Sequence, residues 1–377
     1  MNIKRIFSQK HWPTWLSAIL IFILMLLPNP FQQNSNNENS LRVKAEILQV
    51  DNQNIHNSGL IKTGDQECSI LILEGKLKGQ QLIATNILLG KLEMDKIFEI
   101  GDRVLAVVDI MDGAVSGVTL VDHYRIGEEI LLGLIFVIIL LVYARSIGLR
   151  ALFSFVFTIL MIWKVLLPTF LLGYNPIIVA FLVAIVITSM IILLVYGFDQ
   201  RALAAISGAL AGTFLTCLMA IIFVQRFKIH GAVMAYAESL LYSGFSHLDL
   251  TSIFIASIFI ASSGAVMDLA VDITSAVHEV IQTNPSITRR RAIQAGFNVG
   301  RDVIGTMTTT LLLAYSGGFI GLMMVFMAQG TPIMNILNLK YVAAEIIHTL
   351  VGSFGLVAVA PLTAVTSGIF LHAEKKR

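Results

Sequence analysis

"PIIVAFLVAIVITSMIILLVY", residues 176–196, carries no charged side chain from one end to the other. A helix needs about 20 mainly apolar residues to cross the hydrocarbon of a bilayer. This run has that length, and it is not alone. Similar runs lie near 130–144, 151–172, 202–224, 251–270, 303–328 and 341–371, the first of them short. With residues 14–30 they predict about eight transmembrane helices and a mainly α, polytopic membrane fold.

Composition says the same. The chain has 377 residues, 56% hydrophobic and 13% charged, with a mean hydropathy of +0.80. Soluble chains carry about 25% charged residues. No soluble core could hide this much apolar sequence, so the bilayer is the solvent for most of it. A net charge of +2 gives no sign of a nucleic-acid partner. Cys68 and Cys217 lie in unlike settings, one polar and one apolar, so no disulfide is expected.

Outward from the central run, the chain divides into four parts. Residues 1–30 form an N-terminal membrane anchor: a basic start (Lys4, Arg5, Lys10), then "WPTWLSAILIFILMLLPNPF" with no small-residue cleavage site after it. Residues 31–40 are a polar linker. Residues 41–127 read as a small β domain. "RVKAEILQV", "QECSILILE", "GQQLIATNILL", "DRVLAVVDI" and "AVSGVTLVD" alternate partly and are separated by turn chemistry. Five short strands suggest an OB-like barrel. Its acids outnumber its bases, which argues against a groove for polyanions. Residues 128–377 are the multispanning domain.

Basic residues set the orientation. With the N-terminus in the cytosol, eight spans put Arg145, Arg150, Arg201, Arg289–Arg291 and Lys375–Arg377 inside. Arg226, Lys228 and Lys340 fall outside, as does the β domain. Both termini are then cytosolic in a bacterial cytoplasmic membrane. Lys164 is read as snorkelling to the outer surface. The seventh helix has two parsings. It either spans 303–328, or begins after "NPSITRRR", takes Arg301 and Asp302 into the bilayer and stops near "SGG" (316–318), with 319–330 re-entrant.

Ionisable groups inside spans are costly, about 2.5–3.5 kcal/mol each on insertion scales, so they are the first functional candidates. In "SSGAVMDLAVDITSAVHEV" (262–280), Asp268, Asp272, Ser275 and Glu279 share one helical face. Such carboxyls suit the uptake and release of protons. The bland reading, of equal weight, is an acidic helix end. In "GFNVGRDVIGTMTTTLLLAYSGG" (296–318), Arg301 can pair with Asp268 or Asp272 as a switchable charge pair, and Asp302 lies beside it. Gly305, Thr308 and Thr309 there, with Gly352, are candidates for close helix packing. Glu345 and His348, at i and i+3, form a second-line relay or ligand pair. A single E-x-x-H is weak evidence for a metal, and a hydrated helix end has more weight. Pro361 predicts a kink. Motifs for Ser hydrolases, zinc proteases and phosphate-binding loops are absent. The reading is of a non-enzyme without a cofactor.

"SSGAVMDLAVDI", "AGFNVGRDVIGTMTTTLLLAYSGG" and "EIIHTLVGSFGLVAVAPLTA" resemble the YibE/F-like family of bacterial multispanning membrane proteins. That resemblance implies a membrane location and no mechanism. A weaker likeness is to the second half of SecD/SecF-type subunits of the proton-driven RND exporters. It would make Asp268 and Arg301 the counterparts of residues that use the proton gradient. The expectations are therefore three: a transporter or export accessory, a membrane scaffold or sensor with a partner-binding outer domain, or a metal-ion carrier built on Asp268, Asp272, Glu345 and His348. The expected partners are the lipid bilayer and either a second copy of the chain or a membrane partner protein.

Overall fold

The computed structural model describes residues 12–28, 30–31 and 40–374. Lys4, Arg5 and Lys10, residues 32–39 of the linker and Lys375–Arg377 lie outside the described residues. The chain forms two units, residues 29–143 and residues 1–28 with 144–377.

The helical unit opens with α1 (Trp12–Leu26), whose 15 residues reach only about 22 Å. The smaller unit is a barrel. Its strands are β1 (Ser40–Asp51), β2 (Ile55–Ser58), β3 (Ile61–Ile72), β4 (Gln81–Leu89), β5 (Arg103–Met111) and β6 (Ala114–His123). Neighbours run β1-β5-β6-β4-β3, and pairing of β1 with β3 closes the ring. All these pairs are antiparallel except β4 with β6, which meet in parallel at one register pair, Thr85 with Thr119. Five strands closed in this order form an OB-type barrel. Alternate residues point inward, among them Ile47, Cys68, Ile70, Ala84 and Val108. The sequence pattern had missed β2, a four-residue strand hairpinned onto the start of β3. Gly64 makes that hairpin possible. Its φ is +108°, and a Cβ there would run into the Asn54 carbonyl oxygen.

One buried amide organises the barrel floor. Gln66 Nε2 donates to Phe98 O at 2.8 Å and to Asn52 Oδ1 at 2.9 Å. Its Oε1 accepts from Phe98 N at 3.0 Å and Asn86 Nδ2 at 3.2 Å. Every polar atom of a fully buried side chain is thus satisfied.

After the barrel come α2 (Ile126–Met161), a π-helical turn at Ile162–Leu166, α3 (Leu167–Leu171), α4 (Pro176–Tyr196), α5 (Gln200–Arg226), α6 (Ala237–Tyr242), α7 (Leu250–Thr283), α8 (Arg289–Ser316), a 3₁₀ turn at Gly317–Phe319, α9 (Ile320–Ala328), α10 (Ile333–Asn338) and α11 (Lys340–Glu374). Among the described residues, six helical stretches are long and apolar enough to cross a membrane. The expected spans 130–144 and 151–172 are not separated by a loop. Two helices meet at a kink at Arg145, which alone leaves helical dihedrals (φ 46°, ψ −119°), directly after the expected span 130–144. Helix α8 begins at Arg289 and stops at Ser316, and α9 resumes at Ile320 after the 3₁₀ turn, so the helix limits are nearer those of the second parsing. Helix α11 continues through Pro361.

Caps fix the helix limits. Asn175 accepts from Ile177 N and Ile178 N, with Pro176 at the first helical position. Asp249 accepts from Thr251 N and Ser252 N. Cations serve the opposite ends. Arg150 donates to Leu194 O at 3.2 Å. Lys164, read from sequence as a snorkelling side chain, donates to Leu27 O just past α1 at 2.9 Å.

Glycines let α5 and α8 close on α11. A Cβ built at Gly212 would lie 2.8 Å from Val359 Cβ, and one at Gly208 would strike Thr363. Cβ atoms at Gly296 and Gly300 would lie 2.9 Å from Ala364 Cβ and Ala360 Cβ. Each helix thus offers two glycines four residues apart, the spacing that permits close approach in apolar surroundings. Gly355 and Gly368 of α11 do the same toward Thr216 and Ile293.

Candidate functional site

The acidic face of α7 points away from the bundle. Asp268, Asp272, Ser275 and Glu279 are exposed, whereas Leu269, Ala270, Ile273 and Val277 are buried. Arg301 and Asp302 of α8 are exposed as well. The expected pairing of Asp268 or Asp272 with Arg301 does not occur. The ion pairs among the described residues are Lys44–Glu74, His123–Asp102, Arg125–Asp122 and Arg201–Asp199. The physical reason lies in the helix contact itself. Helices α7 and α8 meet through Ile273 and Val277 against Gly300 and Gly296, which spends that contact on apolar side chains.

Helix α4 measures depth. Its 21 residues span about 31 Å, one hydrocarbon thickness. At its last residue, Tyr196 Oη donates to Val271 O at 2.7 Å and lies 2.6 Å from Ser275 Oγ. Asp272 is therefore level with the end of α4, and Asp268 lies one helical turn back toward the start of α7. The same joint carries Asp199, which caps α5 through Gln200 N and binds Arg201. The Arg201 guanidinium lies 5.3 Å from the Tyr196 ring centre.

The candidate packing residues separate. Gly305 is exposed with nothing within 4 Å of a built Cβ, so the packing role read from sequence is corrected. Thr308 and Thr309 return their hydroxyls to their own helix, at Ile304 O and Gly305 O. Gly352 packs against Ser262 and the Tyr315 ring.

Glu345 and His348 have different company. They sit five and eight residues after Lys340, about 8 and 12 Å along α11, near what we term the Lys340 end of the bundle. The Tyr315 ring of α8 stacks on the His348 imidazole, with centroids 4.5 Å apart and planes 26° apart. Phe254 of α7 meets it edge-on at 6.5 Å. Tyr315 Oη, Glu345 Oε1 and His348 Nε2 are each buried without a hydrogen-bond partner. An orphaned buried polar atom costs about 1–3 kcal/mol. Three gather in one place here, from two helices, where apolar packing would leave none. Sequence reasoning had Glu345 and His348 by their spacing but missed Tyr315, since a tyrosine in an apolar run gives no signal of what it will stack on.

The model of the YibE/F-like family matches residues 132–373. The chain belongs to the YibE/F-like family. No curated protein and no solved structure matches it. The matched region contains every residue of the Tyr315–Glu345–His348 cluster and excludes the barrel. Among the described residues of this YibE/F-like chain, no three His, Cys, Asp or Glu side chains gather as a metal site. Asp268, Asp272, Glu345 and His348 are thus not one centre. Phe254 and Asp268, on the same helix, are 14 positions apart, about 21 Å.

Proposed function

We propose that this YibE/F-like protein is a multi-pass protein of the bacterial cytoplasmic membrane that moves a solute or assists export, coupled to protons at Glu345 and His348. The observation that carries this reading is the orphaned trio of Glu345 Oε1, His348 Nε2 and Tyr315 Oη. A carboxyl and an imidazole are the side chains best suited to exchange a proton near neutral pH. A hydrated helix end would leave these atoms wet, whereas here they are buried. The Lys340 end faces outward in this reading. Arg145, Arg150, Arg201 and Arg289–Arg291 face the cytosol, and the barrel is extracytoplasmic. Asp268, exposed one turn inside the level of the α4 terminus, is a secondary proton position. No bond-making step is assigned to the protein.

The test is proton flux into liposomes holding the full chain, read with a trapped pH-sensitive dye under an imposed gradient. The wild type is expected to dissipate the gradient, and Glu345→Gln and His348→Asn to slow it roughly tenfold. A wild type that passes no protons, or folded variants that pass them unchanged, would overturn the reading.

A second reading is favoured by the barrel surface. Ile83, Ile87 and Leu89 form an exposed apolar row on β4, as a partner-binding outer domain of a scaffold or sensor would. Ile83→Asp with Ile87→Asp should then abolish capture of a membrane-protein partner while leaving proton flux intact.

A further inference from the structure

Tyr315 stands where the chain is least held. It is the next-to-last residue of α8. Gly317 and Gly318 follow in a 3₁₀ turn, and a Cβ at either would have nothing within 4 Å. A 3₁₀ interruption between two helices commonly marks a hinge. Beyond it, α9, the left-handed Gly330 (φ +63°) and α10 lead back to Lys340. From Leu312 to Tyr341 no residue is buried. The arm of residues 317–339 is therefore joined to the bundle mainly at its two ends. One end is Tyr315, and the other begins the helix that carries Glu345 and His348. A segment with few buried contacts opens at low free energy. Tyr315, whose ring covers the imidazole, lies two residues before the start of that arm. From below, Gly352 gives that ring its seat, since a Cβ there would lie 3.7 Å from the Tyr315 ring and 3.2 Å from Ser262.

We propose that Tyr315 is the gate of the Glu345–His348 site. Its ring covers the imidazole, and the glycine-jointed arm of residues 317–339 lifts it. The gate rests on the reading of Glu345 and His348 as the functional pair. With the ring stacked, His348 Nε2 and Glu345 Oε1 are closed off. With it lifted, a water or hydronium reaches both, and one proton moves between that water and the imidazole or carboxylate without any other bond changing. Tyr315 is a positioning residue in this scheme, acting by cover and not by proton transfer.

The test is chemical labelling of His348 with diethylpyrocarbonate on the full chain in lipid nanodiscs, read by mass spectrometry, with His230 and His247 as internal controls. Tyr315→Ala should speed labelling of His348 roughly tenfold relative to the controls, and Tyr315→Phe, which keeps the ring, should leave it slow. Gly317→Ala with Gly318→Ala, stiffening the joint, should slow it below wild type. Equal rates in wild type and Tyr315→Ala, or a Tyr315→Phe that labels as fast as the alanine variant, would overturn the gate. If Tyr315→Ala does not fold, an unchanged rate in the double-alanine joint variant overturns it. Labelling reads the cover alone, so proton flux that fails while this contrast survives counts against the transport reading and not against the gate.

Discussion

Replacing Gln66 by methionine isolates one buried network at nearly constant volume. The substitution removes four hydrogen bonds. Two of their partners recover. Asn52 is exposed and turns to water, and Asn86 Nδ2 keeps Lys96 O at 2.7 Å. Phe98 does not recover, because it is only 1% exposed and its N–H and C=O both lose their partner. Two orphaned backbone groups cost about 2–6 kcal/mol together, and the apolar thioether returns about 1 kcal/mol of that. A net loss of about 3 kcal/mol should lower the barrel's melting temperature by roughly 15 °C for a unit of this size. Cys68, two residues along β3, is the reporter. It is fully buried, and burial, followed by the neighbouring Glu67 charge, pushes its thiol up to about 11. It reacts only when the barrel opens. Pulsed thiol labelling of the full chain in a Cys217→Ala background, along a temperature ramp, reads the transition. A midpoint within about 3 °C of the parent would refute the reasoning, since Phe98 would then be held without Gln66.

Four further outcomes are expected. Barrel stability should fall as pH rises from about 9 toward about 11, because the unfolded thiol of Cys68 ionises first and the folded one resists. Cys68→Ala should flatten that slope in melts taken at each pH. Gly212→Leu should cost about 1–3 kcal/mol by overpacking α5 on Val359, seen as lost monodisperse protein on gel filtration after heating. Gly305→Leu should stay within about 0.5 kcal/mol of the parent in the same assay, because nothing borders that position. Asn175→Ala should cost about 1 kcal/mol through the lost cap of α4, measured by thermal melting in detergent.

The barrel was legible because a strand buried on one face writes its contacts at period two, and five of its strands are long enough to show it. Strand β2 was not, since four residues with one apolar side chain carry no period. The apolar helices were legible by length. The break at Arg145 was legible too, because that charge closes the apolar run 130–144; that the joint would be a kink and not a loop was not. The glycine contacts were written in the chain as Gly208/Gly212 and Gly296/Gly300, whereas Gly305 in the threonine-rich stretch borders nothing. Spacing says which residues share a face. It does not say which face meets another helix. That is why spacing could put the acids of α7 on one face and could not say that this face is the exposed one.

The same distinction decides between the two ionisable clusters. Asp268, Asp272 and Arg301 have the more suggestive sequence, but each ends exposed, and the hydrogen bond from Tyr196 to Val271 sets Asp272 level with the end of a helix one hydrocarbon thickness long. An exposed carboxylate there carries no cost of a buried polar group, so its position argues less for a built site. Glu345 and His348 look milder in the sequence. Their atoms are buried against Tyr315 and Phe254 with hydrogen-bonding capacity unspent. Packing alone would have been better served by leucine at either position. A bundle that closes α5 and α8 onto α11 through six glycine contacts has the means to exclude such a cost. That three such atoms gather at one place, under a ring joined to the arm of residues 317–339, is what makes that place the functional candidate.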